Sequence, residues 1–263
     1  MPSPSDAPLG ASRRVVVTGA AGRIGRATAP LLPSAWGVQL TDLRPGAPPG
    51  SGLDVEALDV TDEAACRSAF EGADAVVHLA GVPDPAATWE QLLPANVIGT
   101  HAVAAAAVAA GVRRLVVCSS LQAVSAPPAV HQVRSEDPPR PTNLYGATKG
   151  WAELVGSWVA ATSSTSVVAL RIGYFNEQPP PWPGTTPRDK AAWLSVRDAA
   201  ELLRAAVEAD LREVDGTPVG HGAGFVVVNG ISAGRYRKAD LSTTHRVLGY
   251  RPLDDAWAGE PLP

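Results

Sequence analysis

The sequence predicts an α/β fold, a doubly wound parallel sheet with a small C-terminal part packed on it. Three observations lead there. The β-branched run at residues 15–17 breaks into Gly19, Gly22 and Gly25, spaced G-x-x-G-x-x-G, with an apolar helical pattern following. Short apolar strands then alternate with helices to about residue 172, a rhythm that packs as parallel strands with helices on both faces. Gly19, Asp42, Asp59, Gly81 and Ser119 all fall just past strand ends, and ligands of such sheets sit beyond the carboxyl ends of the strands.

Each element follows from its residues. Residues 15–17 read as a buried strand. The glycines behind them let the chain turn sharply, let backbone approach a pyrophosphate, and keep side chains out of the helix–strand contact. The helix opening near Arg23 and Ile24 offers free N–H groups and a positive dipole end to phosphate. With Ala21, these residues form a dinucleotide cradle. Residues 38–40 form a second strand ending in Thr41-Asp42, where a carboxylate meets the adenosine ribose. Asp42 accepts hydrogen bonds from the ribose hydroxyls and repels a 2′-phosphate, so NAD is the expected cofactor. Arg44, which can stack on adenine or hold that phosphate, keeps NADP as the alternative.

A Pro/Gly-rich loop leads to a strand at 55–58 and a helix at 63–70 with Asp62 as its cap. Residues 75–79 form a strand running into Leu79-Ala80-Gly81, 89–110 an alanine-rich helix, 115–118 a strand, 144–161 a helix and 167–171 a sixth strand. The rhythm then breaks. Residues 179–184, PPPWPG, are too proline-rich for a helix or central strand, and long loops of this kind are functional lids or disordered. Residues 194–196 lead into a helix capped near Asp198, 225–228 form a late strand and 242–248 a short helix. The organisation expected is a disordered leader at 1–12, a dinucleotide-binding domain at 13–173 and a small substrate-binding or lid region at 174–263.

Composition excludes some partners. The chain of 263 residues is 45% hydrophobic with net charge −4 and no basic run, so neither nucleic acid nor an anionic membrane surface is expected. No apolar segment reads as long and unbroken enough to span a bilayer, and the N-terminus lacks the basic and apolar regions of a secretory signal. Cys66 and Cys118 have no C-x-x-C partner and read as reduced core residues of a cytoplasmic protein. Lysines are few (Lys149, Lys190, Lys238) while Ala and Pro are plentiful, a composition of GC-rich bacterial genomes. Homo-oligomerisation stays open.

The chemistry rests on Tyr145-Gly146-Ala147-Thr148-Lys149. Residues four apart share a helix face, so the phenol and the ammonium point into one space. A free tyrosine is a poor base at neutral pH. A nearby ammonium and the positive nicotinamide of an oxidised cofactor favour the phenolate and lower its pKa, which lets it take a proton from an alcohol or return one to a ketone. Ser119 and Ser120 end the fifth strand on the same side, and Ser120 is expected to hold the reacting oxygen. His78 reads as a packing residue and His131 as a possible substrate contact; Trp89 and Trp182 are pocket or core. His101, His221 and His245 have no metal-like spacing, so no metal is expected.

TGAAGRIG, Asp59-Val60, HLAG, Asn96-Val97-Ile98-Gly99-Thr100, the serine pair and YGATK together resemble the extended short-chain dehydrogenase/reductase superfamily of NAD-dependent epimerases and dehydratases. The resemblance covers most of the chain and is nearest to uronate dehydrogenases. It implies a Rossmann-like fold and Ser120, Tyr145 and Lys149 as the catalytic triad. It also implies Asp59 and Val60 on the adenine, Leu79, Ala80 and Gly81 along the cofactor, and Asn96 near the proton relay. Arg171-Ile172-Gly173, and Trp193-Leu194-Ser195 preceded by Arg188, carry the uronate likeness; in those enzymes that arginine clamps the sugar carboxylate.

The departures lie on the substrate side. Leu121-Gln122 stand where Asn-His is usual, Pro83 where a polar residue is, and Tyr174 where a serine is. With Arg188 and Trp193 these make up the expected substrate contacts. A site built for sugar hydroxyls loses affinity when such donors go. The expected function is therefore an oxidoreductase interconverting a secondary alcohol and a ketone on a cyclic or natural-product-type small molecule. A uronate dehydrogenase is the alternative, followed by a nucleotide-sugar epimerase or a non-catalytic NAD(P) sensor.

Overall fold

The structure, a computed structural model, describes residues 13–46, 52–128, 130–211, 213–214, 217–218 and 224–260. The expected leader at 1–12 and His221 lie outside the described residues. Strand β1 (Arg14–Thr18) and helix α1 (Arg23–Thr28) are followed by β2 (Gly37–Asp42), β3 (Glu56–Ala57), α2 (Glu63–Phe70) and β4 (Ala75–His78). Next come a long helix α3 (Trp89–Ala109), β5 (Arg114–Ser120), α4 (Leu144–Thr162) and β6 (Ser166–Ile172). Short β7 (Tyr174–Phe175), α5 (Pro187–Ala191) and β8 (Trp193–Leu194) then precede α6 (Val196–Glu208) and a small hairpin of β9 (Glu213–Val214) and β10 (Thr217–Pro218). The chain closes with β11 (Phe225–Gly230) and α7 (Ser242–Leu248).

Seven strands form one sheet in the order β11-β6-β5-β4-β1-β2-β3, parallel throughout. Valine alternation builds a core on each face. Val15, Val17, Val77, Val116 and Leu170 meet α6 through Leu202, Leu203 and Ala206. Val16, Val76, Leu115 and Val117 meet α2, α3 and α4 through Phe70, Val103 and Val159. Each such buried side chain contributes about 1.5–3 kcal/mol. Because β1 pairs with β2 on one side and β4 on the other, the order reverses there and opens a crevice at the carboxyl ends.

Helix starts follow local chemistry. Asp62 Oδ1 accepts from Ala65 N at 2.9 Å, and Asn143 Oδ1 from Gly146 N at 2.7 Å, so the tyrosine-bearing helix begins where a cap allows it. For α6 the cap is Ser195, whose Oγ accepts from Asp198 N at 3.1 Å. The cap thus lies near Asp198, as expected, and the Asp198 carboxylate accepts the N–H groups of Leu253 and Asp254. Two differences arise from packing. The strand expected at 55–58 keeps only Glu56 and Ala57, because it is the sheet edge and pairs at two positions. Residues beyond 173 return to the main sheet, since β11 runs parallel to β6 along its whole length.

One expectation is corrected. Helix α3 is long and apolar enough to cross a membrane by length and composition. Its Leu92, Ala102, Val103, Ala106 and Ala107 are buried within the α/β layers. Alanine-rich core helices have this composition because small side chains allow close packing. The middle of α3, Leu93–Gly99, is π-helical, which lengthens the turn around Asn96.

Candidate active site

A cleft of about 580 Å³ opens at the carboxyl ends of β1, β4, β5 and β6. Gly19 supplies its floor. Its φ of 73° suits glycine, and a Cβ there would stand 2.5 Å from Ala80 N, so the turns after β1 and β4 touch backbone to backbone. A Cβ on Gly25 would meet Ala20 Cα at 2.6 Å, which makes this third glycine the contact between α1 and the turn after β1. Gly22, Arg23, Ile24 and Gly25 line the cleft with Leu79, Gly81 and Arg44. Arg23 also donates to Phe175 O at 2.7 Å.

The remaining expected cofactor residues stand behind that lining. Asp42 Oδ2 accepts from Ala21 N at 3.1 Å, and Oδ1 from Arg44 N at 3.2 Å, so the carboxylate ties the glycine turn to the end of β2. Asp59 accepts from the Thr61 N–H and hydroxyl; these bonds hold its carboxyl below the usual range. Val60 is buried and faces Gly99. Asn96 is buried, with Oδ1 accepting from Val82 N at 2.7 Å and Nδ2 donating to Val82 O and Thr148 Oγ1. It shapes the loop after β4.

Ser120, Tyr145 and Lys149 converge on the cleft. Ser120 is the last residue of β5. Its Oγ accepts from Gln122 N at 3.1 Å, and its hydroxyl favours the Tyr145 phenolate. Lys149 lies one turn after Tyr145, with Nζ 5.7 Å from the ring centroid and donating to Cys118 O at 2.8 Å. Burial pushes the Tyr145 phenol above its ordinary value, against the pull of the Lys149 ammonium and the Ser120 hydroxyl. Lys149 pulls in the direction expected from the sequence, but the protein's own groups do not offset the loss of water around the phenol. His78 is buried, 2.8 Å from Thr18 Oγ1, and burial then Lys149 bring its pKa down to about 3. It stays neutral and packs.

Of the expected substrate contacts, Pro83, Leu121, Gln122, Tyr174 and Arg188 line the cleft. Gln122 Oε1 is held by Asn143 Nδ2 at 3.0 Å. Tyr174 stacks on Trp182 at 5.2 Å. Trp193 does not line it: the ring is buried and its N–H donates to Asn176 O at 3.2 Å, anchoring β8. His131 pairs with Asp137 at 2.6 Å outside the lining. Cys118, expected in the core, is only half-buried and lines the cleft. Lys238 was missed altogether. It reaches the cleft from the segment after β11, and its rarity in a lysine-poor chain was the only signal.

Residues 15–176 match the NAD dependent epimerase/dehydratase family. This chain is a member of that family. The NAD-dependent glucose-6-phosphate dehydrogenase of Haloferax volcanii is 35% identical over 94% of this chain and 97% of its own length. The L-arabinose 1-dehydrogenase (NAD(P)(+)) of the same organism is 36% identical over 92% and 97%. A mutant uronate dehydrogenase from Agrobacterium tumefaciens, complexed with NAD, matches with a TM-score of 0.76 and 28% identity, covering 96% of this chain and 92% of that one. This family member is an NAD-dependent oxidoreductase acting on CH–OH groups. Its glycine turn, the close approach at Ala80 and the cationic Arg23 and Arg44 fit a dinucleotide. When bound, the cofactor would supply the two-electron redox step and, in its oxidised form, a positive charge.

Proposed function

We propose that the protein interconverts a CH–OH group and a carbonyl on a cyclic small molecule, with Ser120, Tyr145 and Lys149 as catalytic residues. The observation that carries this is their convergence at the end of β5, beside the glycine turn. The Ser120 hydroxyl orients the substrate oxygen. The Tyr145 phenolate takes its proton during oxidation or returns it during reduction, and the Lys149 ammonium favours that phenolate by charge. Gly19, Gly22, Arg23, Ile24, Gly25, Leu79 and Gly81 hold the cofactor, with Asp42 selecting NAD over NADP.

The relatives' printed activities favour a sugar-like ring, whereas the lining by Pro83, Pro85, Leu121 and the Tyr174–Trp182 stack favours a less hydroxylated one. A ketoreductase acting on a more apolar ring is the second reading. The test is NADH formation or consumption with aldoses, uronic acids, cyclohexanol and cyclohexanone. Expected is activity on at least one ring substrate that vanishes in Tyr145→Phe. Activity that survives in Tyr145→Phe, or is confined to open-chain substrates, would overturn the proposal.

A further inference from the structure

Helix α5 lines the cleft with Arg188 and Asp189, yet it is only 5 residues long. A helix of that length does not persist by itself in water. Contacts from elsewhere therefore decide where its cleft-lining residues stand. Its start is fixed by the capping box between Thr186 and Asp189. Its end is fixed by Lys238 N, which donates to Ala191 O at 2.9 Å. The third contact is made by Lys190, the residue after Asp189, with a segment some seventy positions further along the chain.

Lys190 is only 8% exposed, and lysine is almost never buried without a partner. Its ammonium stands 4.0 Å over the Trp257 ring and pairs with Glu260. The ring is itself held in place. Tyr236 meets it edge-on at 5.1 Å. A Cβ on Gly234 would stand 2.8 Å from Trp257 Cδ1, so backbone lies flush against the indole. Arg235 donates to Glu260 O at 2.7 Å and to Trp257 O at 3.3 Å, and Asp255 Oδ1 accepts from Trp257 N at 2.8 Å. Trp257 Nε1 is buried and has no hydrogen-bond partner among the described residues. Such a group is costly, so the position of the ring is set by the contacts of its face and edge and not by its N–H.

We infer that Trp257 is a positioning residue for substrate binding: through Lys190 it holds α5 in place, so that the wall carrying Arg188 and Asp189 is ordered before substrate arrives. The inference rests on reading the cleft as the site of a ring-alcohol dehydrogenase. An aromatic face attracts a desolvated ammonium in a way that an aliphatic side chain does not. Ser120, Tyr145 and Lys149 stand on β5 and α4 and take no part in this contact. When only a fraction of the protein is competent to bind, apparent affinity falls by that fraction. Loss of the clamp therefore shows in KM and leaves kcat in place.

Two measurements on the full chain test this in wild type, Trp257→Leu, Trp257→Phe and Lys190→Met. The first is amide hydrogen exchange without substrate. Exchange across 188–192 should quicken about tenfold in Trp257→Leu and Lys190→Met, while the amides of α4 keep their protection. Trp257→Phe, which retains an aromatic face, should recover most of the protection. The second is NADH formation at saturating NAD, using whichever of glucose, glucuronate and cyclohexanol the wild type oxidises fastest. KM should rise about tenfold in Trp257→Leu and recover in Trp257→Phe, with kcat and calorimetric NAD affinity within about twofold of wild type. Equal exchange across 188–192 in wild type and Trp257→Leu overturns the clamp. Faster exchange with an unchanged KM overturns its role in substrate binding. Parallel losses of kcat, NAD affinity and α4 protection would make Trp257 ordinary packing and also overturn the inference. If the wild type oxidises none of the three alcohols, the dehydrogenase reading fails, and the exchange measurement alone decides whether Trp257 orders α5.

Discussion

Lys149 Nζ donates to the backbone carbonyl of Cys118 at 2.8 Å. The ammonium is thereby fixed to β5, the strand that ends in Ser120, while its own helix carries Tyr145 one turn earlier. Strand and helix are locked together at the point where the three side chains meet. Tyr145→Phe should lower kcat by about 10²–10⁴-fold with NAD binding retained by fluorescence titration. Lys149→Ala should lose comparable activity, since it removes both the charge and the tie to β5. A Tyr145→Phe enzyme within about tenfold of wild type rules out the phenol as proton carrier.

Because burial holds the Tyr145 phenol above its ordinary value, oxidation should accelerate as pH rises on the alkaline side, where phenolate accumulates. Reduction, which uses the protonated phenol, should decline over the same range. The paired pH profiles of kcat/KM check the sign: two profiles of the same slope would exclude Tyr145 as the titrating group.

Asp42 ties the glycine turn to β2 through Ala21 N, and Arg44 stands in the cleft beside it. Asp42→Ala should raise the use of NADP relative to NAD, because it removes a carboxylate that repels the 2′-phosphate and leaves the guanidinium that attracts it. Ratios of kcat/KM for the two cofactors decide it. A wild-type preference for NADP means that Arg44 prevails.

Uronic acids should be poor substrates. Pro83, Leu121 and Tyr174 present apolar or bulky groups to the cleft, and the Gln122 carbonyl is occupied by Asn143. Each sugar hydroxyl left unmatched costs about 1–3 kcal/mol. A kcat/KM for glucuronate or galacturonate above about 10⁴ M⁻¹s⁻¹ contradicts this.

Acid should destabilise the fold through His78. Its folded pKa, about 3, lies below the ordinary 6.5, so the unfolded chain binds a proton that the folded one refuses. The stabilisation is present above pH 6.5 and is lost as pH falls from there toward 3. Tm should therefore drop on going from roughly pH 7 to 5, and less steeply in His78→Gln. Parallel Tm curves would assign the acid sensitivity elsewhere.

Glu153 and Arg171 form a fully buried pair, with Arg171 Nε and Nη2 each 2.8 Å from a carboxylate oxygen and Ser119 Oγ donating to the same carboxylate at 2.6 Å. Breaking such a pair leaves a buried charge uncompensated, at about 3–5 kcal/mol. Arg171→Met should show that loss in urea denaturation, and Arg171→Met with Glu153→Leu should recover part of it. A single variant as stable as wild type contradicts the pairing.

The sequence by itself determined the order of elements, the glycine turn, and the Ser120–Tyr145–Lys149 set. These depend on local rules: a valine run makes a strand, glycine spacing makes a tight turn, and a separation of four residues puts two side chains on one helix face. The helix at 63–70 and its Asp62 cap were legible for the same reason, because cap and helix are contiguous. Only the tertiary structure decided what lies at the cleft's outer end. Lys238 arrives there because a segment far along the chain hydrogen-bonds to the turn carrying Arg188. Trp193 leaves the site because β8 pairs with β7 and buries its ring. The direction of the Tyr145 shift was likewise out of reach, since the proximity of Lys149 follows from spacing but the loss of water around the phenol follows from everything packed above it.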